Sequence, residues 1–470
     1  MAARYWIAAG TQNWNDTTYW SDTSGGAGGF SVPGSGDTAT FNGGGVGNCT
    51  VNAAVDVTTL TIASGYTGTF NNATNDQTVT VSGDCTLGAG SVSAGDAVWT
   101  IGGNFANSST AWTANASTVV MTGTTKTITS SNADDFFNLT IATGASTSNV
   151  GNIDIAGVML IEGTHAQNTN SLRMNGTGDL QITSTGSLSG SAGQLIFLLD
   201  SSCTQQDGSI TVNTMQVLSR HLTASNSLVA AQYDSATVDF QNSDALTRNI
   251  ELQSGTYIFT GTVLIRNTNA GGTYNFVNST NNPNIEFRGG VTLSASAGTL
   301  NYTKGTGTIT LGGSSGTQTI NFFDKTVEDI VINASGATKQ FTDGWISDSF
   351  TLTAGLVDFN AQTVETTGNF TLTPGGDIIT DADAMNGSII TVGGNFLAEG
   401  ASGNVLDLGA TASWDLNVTG TADADYVLVE YSDASGGTQV DATNSTDGLN
   451  NTNWNFIAAA SNTGNFFLMF

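Results

Sequence analysis

The sequence predicts an all-β chain folded as a single elongated parallel β-helix, a β-solenoid closed by N- and C-terminal caps. Three observations carry that expectation: short alternating apolar and polar runs, few helix-forming segments, and apolar anchors that recur about every 20 residues. The chain has 470 residues, including 59 Gly, 3 Pro and 3 Cys, and 39% of it is apolar. Thr, Ser, Asn and Gly supply most of the polarity, and only 10% of residues are charged. The regular return of apolar residues separates it from a disordered polar chain.

The runs come first. Thr78-Val79-Thr80-Val81, Thr308-Ile309-Thr310-Leu311 and Phe350-Thr351-Leu352-Thr353 each alternate and are closed by small or polar residues. Branching at Cβ restricts the side chain and suits a pleated surface, so these runs read as short strands. Long segments with good helix formers at helical spacing are missing. Three prolines among so many turns mean that Gly and Asn, which tolerate positive φ, make the corners.

The period follows. A Gly-Asn/Asp-Phe/Cys motif recurs as Gly83-Asp84-Cys85, Gly103-Asn104-Phe105, Gly368-Asn369-Phe370 and Gly394-Asn395-Phe396. Cys85 and Phe105 are 20 residues apart, and a later series runs Val263, Val291, Ile309, Ile330, Phe350, Phe370, Phe396, Leu416 in steps of 18 to 28. Coils of two or three strands, stacked ~4.8 Å apart, place such anchors in ladders inside the tube. Residues 117–163 also resemble residues 308–355 at an offset near 190, which predicts a duplicated block. The expected division is 1–48, an aromatic and Gly-rich cap or docking segment; 49–420, the solenoid; and 421–470, a C-terminal cap. At roughly 20–22 residues per coil, this makes ~17–18 right-handed coils and a rod of about 80–90 Å.

An open solenoid exposes strand edges and core at both ends and needs structures that bury them. Aromatic residues gather there: Tyr5, Trp6, Trp14, Tyr19 and Trp20 at one end, Trp454 and Phe466-Phe467-Leu468-Met469-Phe470 at the other. Trp6, Trp14, Trp20, Trp454 and Phe470 are therefore the residues expected to cap or dock.

Two stretches carry a resemblance. One runs from Trp14-Asn15-Asp16 through Tyr19-Trp20-Ser21 to Pro33 and Gly36-Asp37-Thr38-Ala39-Thr40-Phe41; the other runs from Asp447-Gly448 to Asn453-Trp454-Asn455-Phe456. They resemble the ends of β-solenoid surface proteins of tailed bacteriophage virions and of autotransporter-passenger-like adhesins. The resemblance implies architecture and surface exposure, and it specifies no reaction.

Ten Lys+Arg against 38 Asp+Glu give a net charge of −28, which repels phosphate backbones and argues against nucleic acid as a partner. No run reaches the ~18 apolar residues of a membrane span, so membrane insertion is not expected. Met1 to Gly10 lacks the apolar core of a secretory signal, which is an expectation against export and in favour of a particle assembled in a host cytosol. Apart from Arg4, every basic residue lies between Lys126 and Lys339, and 16 acidic residues with no basic one follow Lys339. Such a surface suits a saline environment.

Chemistry is sparse. Cys49, Cys85 and Cys203 have no metal-site spacing, and Cys85 occupies a position that elsewhere holds Phe, so it reads as a buried small hydrophobe and a Cys49–Cys85 disulfide is not expected. His165 and His221 belong to no catalytic or metal pattern. Gly25–Gly29 and Gly43–Gly47 lack the Lys of a phosphate loop. Glycoside hydrolysis would need paired carboxylates, for which Asp134/Asp135, Glu328/Asp329, Asp381/Asp383 and Asp423/Asp425 are the close pairs. Asp381-Ala382-Asp383-Ala384-Met385-Asn386-Gly387 is a weak calcium loop, with Met385 where a ligand oxygen belongs. The expectation is a non-enzymatic virion structural protein without cofactor, a tail fibre, spike or capsid-surface decoration located on the virion surface. Its expected partners are other virion proteins, further copies of itself in a trimer, and a host-surface glycan or protein. A bacterial surface adhesin is the alternative and a polysaccharide-degrading tailspike the second.

Overall fold

The computed structural model describes residues 1–88, 90–108, 111–130, 136–198, 201–218, 225–373 and 384–457. It is a β-solenoid of about 18 turns, nearly all strand, with 1% helix. One 3-10 turn, Thr17–Tyr19, is the helical element among the described residues. The chain divides into two compact units, Met1–Gln253 with Thr268–Tyr274, and Ser254–Asn267 with Asn275–Phe470.

The alternating runs become strands because each puts its apolar residues on one face. Thr59–Ile62, Asn138–Ile141 and Thr308–Leu311 all alternate half-buried and buried positions. Parallel pairing then repeats that face from coil to coil. In the first unit, Thr38–Phe41 pairs with Thr59–Ile62, which pairs with Cys85–Leu87 and through it with Phe105–Asn107. A second ladder takes Val79–Val81, Val98–Ile101, Thr118–Met121, Asn138–Ile141 and Val158–Ile161 in turn. At the start of the chain, Trp20–Ser21 runs antiparallel along Ala3–Trp6.

In the second unit the ladder descends through Asn284–Phe287, Thr308–Leu311, Asp329–Phe341, Phe350–Asp358, Phe370–Leu372, Phe396–Glu399, Ala422–Asp425, Val440–Thr443 and Trp454–Ile457. Its interior holds stacked rings: Phe350 and Phe370 lie 4.6 Å apart at 16°, and Phe370 and Phe396 6.1 Å apart at 22°. The two blocks expected to be duplicates each form three parallel strands in register, Val119–Leu139–Met159 and Ile309–Ile330–Phe350.

Most of the expected anchor ladder is observed. Cys85 pairs with Phe105, Val263 with Val291, and Ile309, Ile330, Phe350, Phe370 and Phe396 follow one another. Two steps are corrected. Val291 pairs with Ile320, while Ile309 pairs with Ile285. Phe396 is followed by Ala422, whereas Leu416 belongs with Ile390 in a different sheet. Each coil carries several inward-facing ladders, so an apolar residue about 20 positions on can belong to a neighbouring one.

The Gly-Asn/Asp motif has a specific role in the stack. Asp84 Oδ1 accepts from the Asn104 N–H at 2.7 Å, and Asn104 Oδ1 accepts from the Thr127 N–H at 2.9 Å. Asn369 Oδ1 takes the Asn395 N–H at 3.0 Å, and Asn395 Oδ1 takes the Thr421 N–H at 2.9 Å. Each side chain thus holds a corner amide of the next coil. The glycines before them stack backbone on backbone: a Cβ on Gly103 would lie 2.3 Å from the Gly83 carbonyl carbon.

The clamp can be isolated at Asn395. Asn395→Ala removes the acceptor and is expected to cost roughly 0.5–1.5 kcal/mol, whereas Asn395→Asp keeps an oxygen there and costs less. Urea-denaturation midpoints of the two variants measure this, and equal losses would show that the side-chain bond contributes nothing.

Candidate functional site

Trp6, Trp14 and Trp20 are buried, each exposed by 1% or less. They pack as one cluster: Trp6 to Trp20 at 5.3 Å, Trp14 to Trp20 at 4.8 Å, with Phe41 5.7 Å from both Trp6 and Trp20. The Trp6 indole N–H donates to the Gly47 carbonyl at 2.9 Å and that of Trp20 to the Trp14 carbonyl at 2.7 Å. Burial with the polar tip satisfied makes this a core cluster with no ring surface turned outward. Trp454 differs: it is half-buried, stacks on Phe456 at 6.2 Å and continues the ladder from Val440. Phe470 lies outside the described residues, as do His221 and the pairs Asp134/Asp135 and Asp381/Asp383.

The two remaining acid pairs fare differently. Glu328 is buried, while its neighbour Asp329 is half-buried and accepts from the Ser349 hydroxyl at 2.7 Å, so the two do not act on one point. Asp423 and Asp425 share one outward face of Ala422–Asp425, as residues two apart on a strand must. The stack adds partners the spacing did not reveal: Asp423 lies beside Asp441, Asp425 beside Glu399, and Asp415 beside Asp433. Polar neighbours occupy them. Asp425 Oδ1 accepts from Thr443 and Asn444 at 2.8 Å each, and Asp441 Oδ1 from Asn455 at 2.8 Å. Among the described residues, no ring shares the Asp423 ladder where it runs through Thr351, Thr371, Leu397, Asp441 and Asn455. Among the described residues, no three His, Cys, Asp or Glu side chains converge as a set of metal ligands.

Among the buried charged groups, Glu328 stands in the sequence only as half of an acid pair and Lys339 is not singled out. Glu328 is 1% exposed and has three donors: Asn278 Nδ2 at 2.8 Å, the Gly305 N–H at 2.9 Å and the Tyr302 hydroxyl at 2.6 Å. Burial, reinforced by the Glu328 charge, holds the Tyr302 hydroxyl protonated well above its usual range. Lys339 is fully buried, and its ammonium donates to the Gly312 carbonyl and to Gln318 Oε1. Burial draws Lys339 down to about 8, and the Glu286 charge opposes the shift. Lys339 takes the same inward positions of an alternating strand as Ala337 and Phe341, and that alternation is the one sequence signal for its burial.

Two open hollows, of about 300 and 320 Å³, lie side by side on the first unit and share Ala166 and Ser189. Hydroxyls such as Thr127, Ser148, Ser191 and Thr211 line them, with Lys126 the charged side chain at their margin. Behind this face His165 is buried, its Nδ1 2.8 Å from the Thr147 hydroxyl, and burial lowers it to about 4. Cys49, Cys85 and Cys203 are free and buried, and burial pushes the Cys85 thiol up to about 12. No known protein family matches the chain, and neither does any curated protein or solved structure.

His165 makes stability depend on pH. The unfolded chain binds a proton near the ordinary value of 6.5, which the folded chain refuses until about 4, so stability falls as pH drops across that interval. Thermal midpoints at pH 7 and 4.5 are expected to differ more in the native protein than in His165→Leu; equal shifts would remove His165 as the cause.

The stacked carboxylates predict a salt response. Like charges directly opposite on neighbouring strands repel, and salt screens that repulsion. Asp423→Asn is expected to raise the thermal midpoint at low ionic strength, with the gain shrinking in molar NaCl; a gain unchanged by salt would point to a cause other than charge.

Proposed function

We propose that the chain is a non-enzymatic structural protein of a tailed bacteriophage, displayed on the virion surface as a fibre, spike or capsid decoration. What supports the reading is the stack of in-register coils, together with the resemblance of residues 14–41 and 447–456 to such proteins. Ladders repeated coil after coil give a stiff support whose strands are paired along their length, and stiffness is what display requires. In this reading Trp6, Trp14 and Trp20 close the first coil, Trp454 serves the other end, and contacts with virion proteins, further copies or a host surface involve outward positions. The acidic face after Lys339 keeps particles apart and soluble in salt water.

The same end motifs favour a second reading, a bacterial surface adhesin. A tailspike that cleaves polysaccharide has less support, because Asp423 and Asp441 stand in a ladder without an aromatic platform. Mass spectrometry and cryo-electron microscopy of virions from the material carrying the sequence are the test. The expected result is the chain at a fixed position and copy number on the particle. Its absence from particles and recovery from cell envelopes would replace the phage reading with the adhesin reading.

A further inference from the structure

We propose that Lys339 and Gln318 of the second unit become joined by an isopeptide bond that the folded chain forms by itself. The two residues are register partners on neighbouring parallel strands, Gly316–Asn321 and Asp329–Phe341. Lys339 is fully buried, which is rare for lysine without a carboxylate partner, and its Nζ rests against the carboxamide oxygen of Gln318 and the Gly312 carbonyl. The carboxamide is held from its other side, where Nε2 donates to the Arg288 carbonyl at 2.7 Å. A Cβ on Gly313 would lie 2.8 Å from that Nε2 and 2.4 Å from the same Arg288 oxygen, so no side chain could stand there without displacing the amide. The base is close at hand. Glu286 packs against Gly312, where a Cβ would lie 2.6 Å from its Oε1, and its charge acts on Lys339. Arg288 Nε donates to that oxygen at 2.6 Å, which orients the Glu286 carboxylate.

The chemistry needs no further reagent. Glu286 takes a proton from the Lys339 ammonium, and burial eases this step by drawing the lysine down to about 8. The freed Nζ lone pair attacks Gln318 Cδ, a new C–N bond forms, and the bond from Cδ to Nε2 breaks. Nε2 leaves as ammonia, with the proton returned through Glu286. Amide replaces amide, so nothing is oxidised or reduced, and holding the groups in contact supplies the orientation that a free amine and carboxamide lack. The product ties two successive coils covalently, a cross-link suited to a chain that has no disulfide among its three cysteines.

Intact-mass measurement of the full denatured chain tests this, with peptide mapping. The expected result is a main species lighter than the sequence by one ammonia, and a branched peptide joining Lys339 to Gln318. Lys339→Arg and Gln318→Leu should keep the full sequence mass. Glu286→Gln should keep it too while retaining the β circular-dichroism spectrum of the native protein. A native chain at full mass overturns the proposal, and so does an ammonia loss mapped elsewhere, such as to an Asn succinimide. Cross-linking that persists in Glu286→Gln removes the carboxylate from the step.

Discussion

At the corners that carry the Gly-Asn/Asp motif, a backbone amide points along the stack and takes its partner from a side chain of the preceding coil. Everything else in this protein depends on where those amides go. In strands they bond to the coil above or below, but a corner turns the chain away from that ladder. The Asn and Asp of the repeating motif solve the problem with a side-chain oxygen that reaches the next coil: Asp84 to Asn104, Asn104 to Thr127, Asn369 to Asn395, Asn395 to Thr421. Either residue serves, because only an acceptor oxygen is needed. The glycine before it serves the same end, since a Cβ at Gly103 would collide with Gly83.

Register fixed in this way has consequences on both faces. Inside, it lays like on like, and stacked rings such as Phe350, Phe370 and Phe396 bury their faces against one another. Outside, the same rule superposes Asp423 on Asp441 and Asp415 on Asp433, where repetition is unfavourable. Asn444 and Asn455 offset part of that repulsion by donating to Asp425 and Asp441. A scattering of such carboxylates is tolerable where salt screens them, and it leaves the surface little able to bind an anion.

The fold was legible in the sequence where one inward ladder dominates. Cys85 to Phe105, and Ile309 through Ile330 and Phe350 to Phe370, could be read from spacing because their steps stay at 20 or 21 residues, and the longer step from Phe370 to Phe396 keeps the same Gly-Asn-Phe motif. The reading failed at Val291 and Leu416, where coils carry other inward strands and an apolar residue does not declare which ladder it joins. The site was less legible still. Trp6, Trp14 and Trp20 stood out as an aromatic cluster, but their complete burial depends on Gly47 and Phe41 arriving from the next coil. Nothing in the local sequence marks Glu328 as buried, and only the alternation through Ala337 and Phe341 hints at it for Lys339, since their partners come from residues 21 to 50 positions away.

Those distant partners bear on how the stack avoids slipping. Val, Ile and Leu are nearly interchangeable along an inner ladder, so apolar packing alone penalises a misaligned coil only weakly. Glu328 is different, because its donors, Asn278, Tyr302 and Gly305, come from two preceding coils and converge on one carboxylate. A coil displaced by one ladder position would leave that carboxylate buried without donors, at a cost of about 1–3 kcal/mol or more for each lost partner. Lys339 repeats the logic further along with the carbonyls of Gly312 and Gln318. The buried charges therefore act as position marks in a structure whose repeats are otherwise alike, and the apolar ladders supply the cohesion between them.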